Sequence, residues 1–521
     1  MKYEYSYRAG KRIIKREVTY IPLRYIIAII LTVLEVLAII GIVAALCYYV
    51  PYFYVAAWVT EIVCVIRIIA SDDNPDYKVP WLLFVLILPI AGFMLYFIFG
   101  SRKLTKAQQK SLGRLAALHY GGEDSAALAA LKSEDRSAHN QAKMICQIAD
   151  TALFTDTKTT YYPSGEALMA AMLADLAAAE KFIYMEYFII EDGLFWGQIL
   201  EILKEKAGKG LDVRVVFDDI GCMTTLPGNY AKKLAAFGIA ATPFSRLRGS
   251  ADSRFNNRSH RKITVIDGRV GYTGGVNIAD EYINEKPRFG HWKDVGLRLS
   301  GEGVYELTRL VMIDYVINTR KMPLDATALY PTLQADGENG YVIPFGDGPA
   351  PLYPRAVGKI VIQNMLASAT RYVYMATPYL IIDNDLCTDI ENAALRGVDV
   401  RIIVPHIPDK RFVFEMTRSF YPRLLRAGVR IYEYTKGFIH AKCYLADDTT
   451  AMVGTINLDY RSLAHHFENG VWMYKTSAVT ALKADFEETL TVSGQVDEDT
   501  TRPKLHQRIF RALVRVFAPL L

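Results

Sequence analysis

Two stretches of this chain share a pattern of residues suited to acid–base and nucleophilic chemistry. HRKITVIDGRVGYTGGVN runs from His260 to Asn277, and HAKCYLADDTTAMVGTIN from His440 to Asn457. Each sets a lysine two residues after the histidine and an aspartate seven after it, then a glycine and an asparagine. These are Lys262, Asp267, Gly274 and Asn277 in the first copy, and Lys442, Asp447, Gly454 and Asn457 in the second. Agreement at five fixed positions argues against chance. Residues i and i+2 of a strand project to one face, so His260 and Lys262 point together, as do His440 and Lys442. The motif aspartates have the opposite parity and fall beside turn signals (Asp267–Gly268, Asp447–Asp448). Bracing a strand end suits Asp267 and Asp447 better than touching substrate, although the motif places them among the catalytic candidates. The glycines permit close backbone approach, and the amides of Asn277 and Asn457 can donate to an oxyanion.

One copy supplies an imidazole, an ammonium and an amide; two copies brought together supply two of each. That inventory suits a phosphodiester. The ammoniums and amides offset its charge and the charge that develops at phosphorus. One histidine can attack while the other, protonated, donates to the leaving oxygen. An ordinary pKa of about 6.5 fits histidine to either role. No carboxylate cluster has metal-ligand spacing, so neither a metal nor another cofactor is expected. The six cysteines are scattered without a CxxC pair, which indicates neither a zinc site nor a disulfide framework.

The elements that must position these residues also come twice. FIYMEYFII (Phe182–Ile190) reads as an apolar strand, followed by a helical stretch and the strand KGLDVRVVFDD (Lys209–Asp219). RYVYMATPYLII (Arg371–Ile382), a helical stretch and RGVDVRIIVP (Arg396–Pro405) repeat that order. Such alternation argues for α/β layers with helices over largely buried sheets.

The amino-terminal end is different. Hydrophobic residues make up 51% of the chain, and the excess lies before residue 100. An apolar block from Tyr25 to Ile69 and a second from Trp81 to Gly100 are long enough for two or three helices at roughly 20 residues per span. Their length excludes a secretory signal peptide. Lys11, Arg12, Lys15 and Arg16 precede the blocks, and Arg102, Lys103 and Lys106 follow them. The positive-inside rule would keep both flanks cytoplasmic, which needs an even number of crossings and conflicts with three. At the other end Lys504, Arg508, Arg511 and Arg515 recur at helical spacing opposite Ile509, Leu513, Val516 and Phe517. A basic amphipathic helix of this kind suits an anionic membrane surface, or packs on the protein's own domain. The net charge of +5 suits anionic lipid or nucleic acid alike. No long basic groove with interleaved aromatics is visible, so nucleic acid is not expected.

With its paired HxKxxxxD motifs the chain resembles the phospholipase D superfamily. LPIAGFMLYFIFG (Leu88–Gly100) and GTINLDYRSLAHHFENG (Gly454–Gly470) are similar to bacterial cardiolipin synthases, and the resemblance runs from Tyr25 to Leu521. It implies an α/β protein: two phospholipase D-like domains packed as a pseudo-two-fold pair behind a transmembrane helical region. The expected division is a basic tail (1–22), a transmembrane region (23–100), a connector (101–157), two phospholipase D-like domains (158–330 and 331–497) and the basic helix (502–521). The implied reaction moves a phosphatidyl group from one phosphatidylglycerol to another through a phosphohistidine, giving cardiolipin and glycerol. It implies a multi-pass protein of the cell membrane, with the cytoplasmic side favoured for the catalytic domains.

By the family pattern an acid on a later strand orients each histidine. Asp294 and Glu468 fit, each serving either its own histidine or the opposite one. His260 would be the nucleophile and His440 the acid. Ser259 stands where the family commonly has asparagine. His465 and His466 read as loop or headgroup-facing residues, and His291 and Trp292 as pocket wall. Glu186 faces the site or is a satisfied core carboxylate, and Asp218 with Asp219 reads as a loop pair. The same architecture could instead hydrolyse its substrate, or persist as an inactive membrane scaffold; two intact motifs argue against the scaffold.

Overall fold

The computed structural model describes residues 3–9, 12–18, 23–100, 104, 108–110, 126–246, 257–321, 340–498 and 505–520. Lys11, Arg102, Lys103, Lys106 and Lys504 lie outside the described residues. The chain opens with an antiparallel hairpin, β1 (Tyr3–Ala9) and β2 (Arg12–Val18), in the region read from its charge as a tail. The alternation of Tyr3, Tyr5 and Tyr7 has the period of a strand, which a count of basic residues overlooks.

Two mixed sheets carry the rest. The first contains β3 (Thr157–Tyr162), β4 (Phe182–Tyr187), β5 (Asp212–Asp218), β6 (Ala240–Phe244), β7 (Lys262–Ile266) and β8 (Val270–Gly274). After a short β9 (His291–Lys293), β10 (Gly296–Gly301) completes the order β3-β10-β8-β7-β4-β5-β6. The second is built from β11 (Tyr341–Asp347), β12 (Tyr372–Ala376), β14 (Asp399–Pro405), β15 (Arg430–Tyr434), β17 (Cys443–Ala446), β18 (Thr450–Gly454), β20 (Glu468–Tyr474) and β21 (Ser493–Gln495). Its order is β11-β20-β18-β17-β12-β14-β15-β21, the same arrangement with one strand added. The short strands β13 (Leu380–Ile381), β16 (Gly437–Ile439) and β19 (Leu458–Asp459) lie outside the sheets.

The parallel pairs β4–β5 and β12–β14 each need a crossover, supplied by the helices Leu194–Gly208 and Asn384–Leu395. With both faces covered, every residue of β4 and β12 is buried. The sheets share a core in which Ile263, Val265, Leu297 and Leu299 of one half meet Leu445, Val453, Val471 and Met473 of the other. Each such side chain contributes roughly 1.5–3 kcal/mol on full burial. The helix Val304–Thr319, buried over nearly its whole length, is wedged into this core.

The apolar amino-terminal region forms four helices: α1 (Leu23–Tyr49), α2 (Pro51–Ala70), α3 (Pro75–Ile87) and α4 (Pro89–Phe99). Among the described residues one stretch, Ile29–Leu46 in α1, has the length and apolarity of a membrane span. The Trp81–Gly100 block, expected to be one helix, breaks at Leu88 (φ −124, ψ 73) before Pro89. Proline disfavours helical backbone at the preceding residue and itself starts the next helix. α3 is tied to the second half by reciprocal caps. Asn74 accepts from the Asp76 N–H and donates to Asp385 at 2.8 Å, while Asp76 accepts from the Asn384 N–H at 2.7 Å. The carboxyl-terminal helix Leu505–Phe517 also packs on the second half, through Arg511 on Glu415 (2.7 Å) and Arg515 over the Phe420 ring. It leaves Leu505, Ile509 and Leu513 exposed.

Asp76→Ala removes the acceptor for Asn384 N–H and for Tyr460 Oη. At about 1 kcal/mol for each lost bond, the thermal midpoint of the full chain in detergent should fall by a few degrees. An unchanged midpoint would contradict this docking.

Candidate active site

Two parallel crossings join the halves at their centre. In one, β16 pairs with β9, with Ile439 opposite Lys293, and the next residue, His440, donates its N–H to Lys293 O at 2.7 Å. In the other, Ser259 bridges Phe467, and His260 donates its N–H to Phe467 O at 2.8 Å. Asp294 comes directly after Lys293, and Glu468 directly after Phe467. Each histidine therefore meets the acid of the opposite half. His260 Nδ1 lies 2.9 Å from both Glu468 oxygens, and His440 Nδ1 lies 2.7 Å from Asp294 Oδ2. Both acids are fully buried and the histidines are 6% and 7% exposed, so solvent contributes little to either pair.

The lysines are equally enclosed. Lys262 Nζ donates to His260 O at 2.6 Å; Lys442 Nζ donates to His440 O and lies 2.8 Å from His440 Nδ1. Burial, then the charge of Lys442, pushes Lys262 down to about 7. Burial brings Lys442 down to about 8 against the pull of Asp294 and Glu468. Burial raises Asp294 to about 7, opposed by Lys442 and the Val295 N–H. Burial works to raise Glu468 as well, yet His260 and His466 hold it well below the usual range. Burial also takes His260 down to about 3 despite Glu468, and burial with the charges of Lys442 and Lys262 lowers His440 well below the usual histidine range. His260 and Glu468 pull on one proton with opposing demands. A carboxylate can only accept, so at neutral pH Glu468 is ionised and neutral His260 donates Nδ1–H to it. That leaves the Nε2 lone pair for chemistry. The His440–Asp294 pair differs, because its acid still holds a proton near pH 7.

The motif aspartates stand apart from this cluster. Asp267 accepts the N–H groups of Glu180, Lys181 and Phe182, and Asp447 those of Thr370, Arg371 and Tyr372. Both have left-handed backbone (φ 55 and 51) at the turn after their strands. They brace strand ends, which corrects their placement among the catalytic candidates. The asparagines are partly committed too. Asn277 accepts from Ile189 N–H and donates to Tyr282 Oη at 2.7 Å, and Asn457 donates to Asp459 at 3.0 Å. One N–H of each amide remains for substrate. Gly274 (φ +145) and Gly275 let this segment pass the acid strand, and a Cβ at Gly275 would overlap Asp294 Oδ1.

Other residues pack around the histidines, of which Thr455 and Tyr282 carry no signal in the motif spacing. Thr455 Oγ1 donates to Glu468. Asp218 is no loop residue: fully buried, it holds Arg258 through Oδ1 at 2.9 Å and fixes the segment before His260. Glu186 is a core carboxylate that accepts from Ser259 Oγ at 2.5 Å, away from the histidines' own partners. Trp292 and Tyr282 pack their rings 5.5 and 5.4 Å from His440. His466, expected in a loop or facing headgroups, lies 5.4 Å from the His260 ring. Aligning the halves on their acids reveals it, since His466 precedes Glu468 by the spacing at which Trp292 precedes Asp294. His260, His466 and Glu468 each bring a potential ligand atom within 4.8 Å of the others and could hold a metal ion. Such an ion would compete with the Nδ1–H bond to Glu468.

The chain matches the family model described as "Cardiolipin synthase, PLD-like domain" over residues 172–286 and 362–490. A second model, "Phospholipase_D-nuclease N-terminal", matches residues 62–101. The chain is 43% identical to an uncharacterized protein of Streptococcus mutans, covering 88% of this chain and 99% of that one. It is 33% identical to a cardiolipin synthase of Halalkalibacterium halodurans (90% and 94% covered). It is 35% identical to one of Alkalihalophilus pseudofirmus (88% and 91%). The crystal structure of a phosphatidylserine synthase from Haemophilus influenzae superposes with a TM-score of 0.55 at 14% identity, over 74% of this chain and 99% of that one. This last likeness is one of fold.

Lys262, Lys442 and Asp294 all lose protons as pH rises through about 7 to 8, and each loss makes the site more negative. Sulfate keeps its charge over this range, so its affinity for the full chain in detergent should fall about tenfold or more between pH 6 and pH 9. Calorimetry showing equal affinity at both would contradict this charge balance.

Proposed function

This chain belongs to the cardiolipin synthase family with phospholipase D-like domains, and we propose that it makes cardiolipin from two molecules of phosphatidylglycerol. It is a phosphatidyltransferase; the reading adds the lipid, the intermediate and the residues. The observation that carries it is the pair of histidines, each held by the other half's acid beside a buried lysine.

In this reading His260 Nε2 attacks the phosphorus of the first phosphatidylglycerol. The bond from phosphorus to the glycerol oxygen breaks, and His440 with Asp294 delivers a proton to that oxygen. Glycerol leaves and a phosphatidyl-histidine remains. A hydroxyl of the second phosphatidylglycerol then gives its proton back to His440 and attacks phosphorus, releasing His260 and forming cardiolipin. Ionised Glu468 supports His260 as nucleophile by stabilising positive charge on its ring. The proton that Asp294 retains to about pH 7 supports His440 as acid. Lys262, Lys442 and the remaining N–H of Asn277 and Asn457 offset the charge on the five-coordinate phosphorus. Burial of both histidines favours a lipid hydroxyl over water as second acceptor. The reading locates the enzyme in the cell membrane, held by α1 and the apolar helices after it, with the catalytic halves on the cytoplasmic side.

Full-length protein in phosphatidylglycerol liposomes should yield cardiolipin and glycerol in equal amounts, without added metal. His260→Ala and His440→Ala should each lower the rate by about a thousandfold or more. Phosphatidic acid as the main product would assign the chain to hydrolysis instead, and full activity of either variant would overturn the shared site.

A further inference from the structure

A cavity of about 990 Å³ separates the α2–α4 helices from the second half, at the upper end of the roughly 300–1,000 Å³ usual for ligand sites. Its membrane-side wall includes Arg67 of α2 and Phe93 and Phe97 of α4; its domain-side wall includes Arg355, Ser462 and His466. The outward faces of the same helices are apolar and open, with Ile66 57% and Ile87 70% exposed. Among the described residues no ion pair joins Arg67 or Arg355 to a carboxylate. The wall also carries three acids, Asp73, Asp347 and Asp383, all of them engaged. Asp383 is bound by Lys359, and Asp347 accepts the N–H groups of Gly348 and Gly358.

The inner end of the cavity is lined by His466, a neighbour of the catalytic cluster. His466 lies against the His260 ring at 5.4 Å, with its Nδ1 3.5 Å from Glu468. One buried polar atom on this wall, Ser462 Oγ, has no hydrogen-bond partner among the described residues, and His466 Nδ1 has only its 3.5 Å approach to Glu468. Leaving such atoms unpaired is unfavourable, and a hydroxyl group, both donor and acceptor, could satisfy them. The cavity thus runs from an apolar rim past two guanidinium groups without an ion pair among the described residues to a polar end at Ser462 and His466.

We propose that this cavity is the acceptor subsite: it holds a glycerophospholipid whose headgroup ends in a free hydroxyl. The acyl chains pass out along α2 and α4, and the phosphate lies between Arg67 and Arg355. The headgroup hydroxyl reaches Ser462 and His466, within range of a phosphatidyl group on His260. The proposal rests on the transferase reading above and adds where the second lipid waits. It also explains why the α3–α4 hairpin is fixed to the catalytic half by the Asn74 and Asp76 caps, since both walls must keep their spacing.

The test separates the two lipids. Exchange of radiolabelled free glycerol into phosphatidylglycerol reports the donor step with a small acceptor, and cardiolipin formation adds the lipid acceptor. Both are measured on the full chain in phosphatidylglycerol liposomes for Arg67→Ala, Arg355→Ala and Ser462→Ala. In the arginine variants the ratio of cardiolipin formation to glycerol exchange should fall about tenfold, the worth of one charge-assisted contact. Ser462→Ala should lower it less. An unchanged ratio, whether both rates persist or both fall together, would overturn the acceptor site. Absence of cardiolipin from the unmutated chain would instead overturn the function on which it rests.

Discussion

The structure depends on the burial of six titratable groups in one water-poor cluster. His260, His440, Lys262, Lys442, Asp294 and Glu468 are each under 9% exposed. Burying an unpaired charge costs several kcal/mol even after relaxation. The two acids offset the two lysines only because the halves exchange them. Glu468 completes the first half's histidine, and Asp294 the second's. Neither half alone supplies the acid that meets its own histidine, so docking of the halves and assembly of the chemistry are one event.

The backbone around this cluster is arranged to permit the exchange. The β9–β16 pair and the Ser259–Phe467 bridge carry each histidine past the opposite acid, and the buried helix Val304–Thr319 sits behind both. Arg261, fully buried on Asp314 of that helix, ties the first motif to it at 3.1 Å. Asp267 and Asp447 fix the far ends of the motif strands by accepting three backbone N–H groups each. The symmetry is imperfect in a chemically useful way. Trp292 on one side faces His466 on the other, and an aspartate raised to about 7 faces a glutamate held low. Two histidines in matching frames thereby face acids of different proton affinity.

Much of this was legible in the residues. The strand order repeats because the sequence repeats, from GLDVRVVF to GVDVRIIV, and strand parity separated His260 and Lys262 from Asp267. Asp294 and Glu468 could be singled out, but not which histidine each would meet. That choice is set by how the halves dock, a contact between segments far apart in the chain. His466 was passed over for the same reason, since its neighbour belongs to the other half. The break at Leu88 was spelled by Pro89, yet an uncharged apolar run reads as one helix until packing divides it. The caps made by Asn74 and Asp76 were also out of reach, being meetings of two helix starts more than three hundred positions apart.

In the proposed mechanism, exchange of the acids gives histidines of nearly identical setting a division of labour, which the proposed covalent intermediate would report directly. Full-length protein can be mixed with phosphatidylglycerol labelled in the phosphate, quenched in alkali within a turnover, digested and mapped by mass spectrometry. The account predicts the phosphoryl label on His260. Label on His440, or shared evenly between the two, would contradict it.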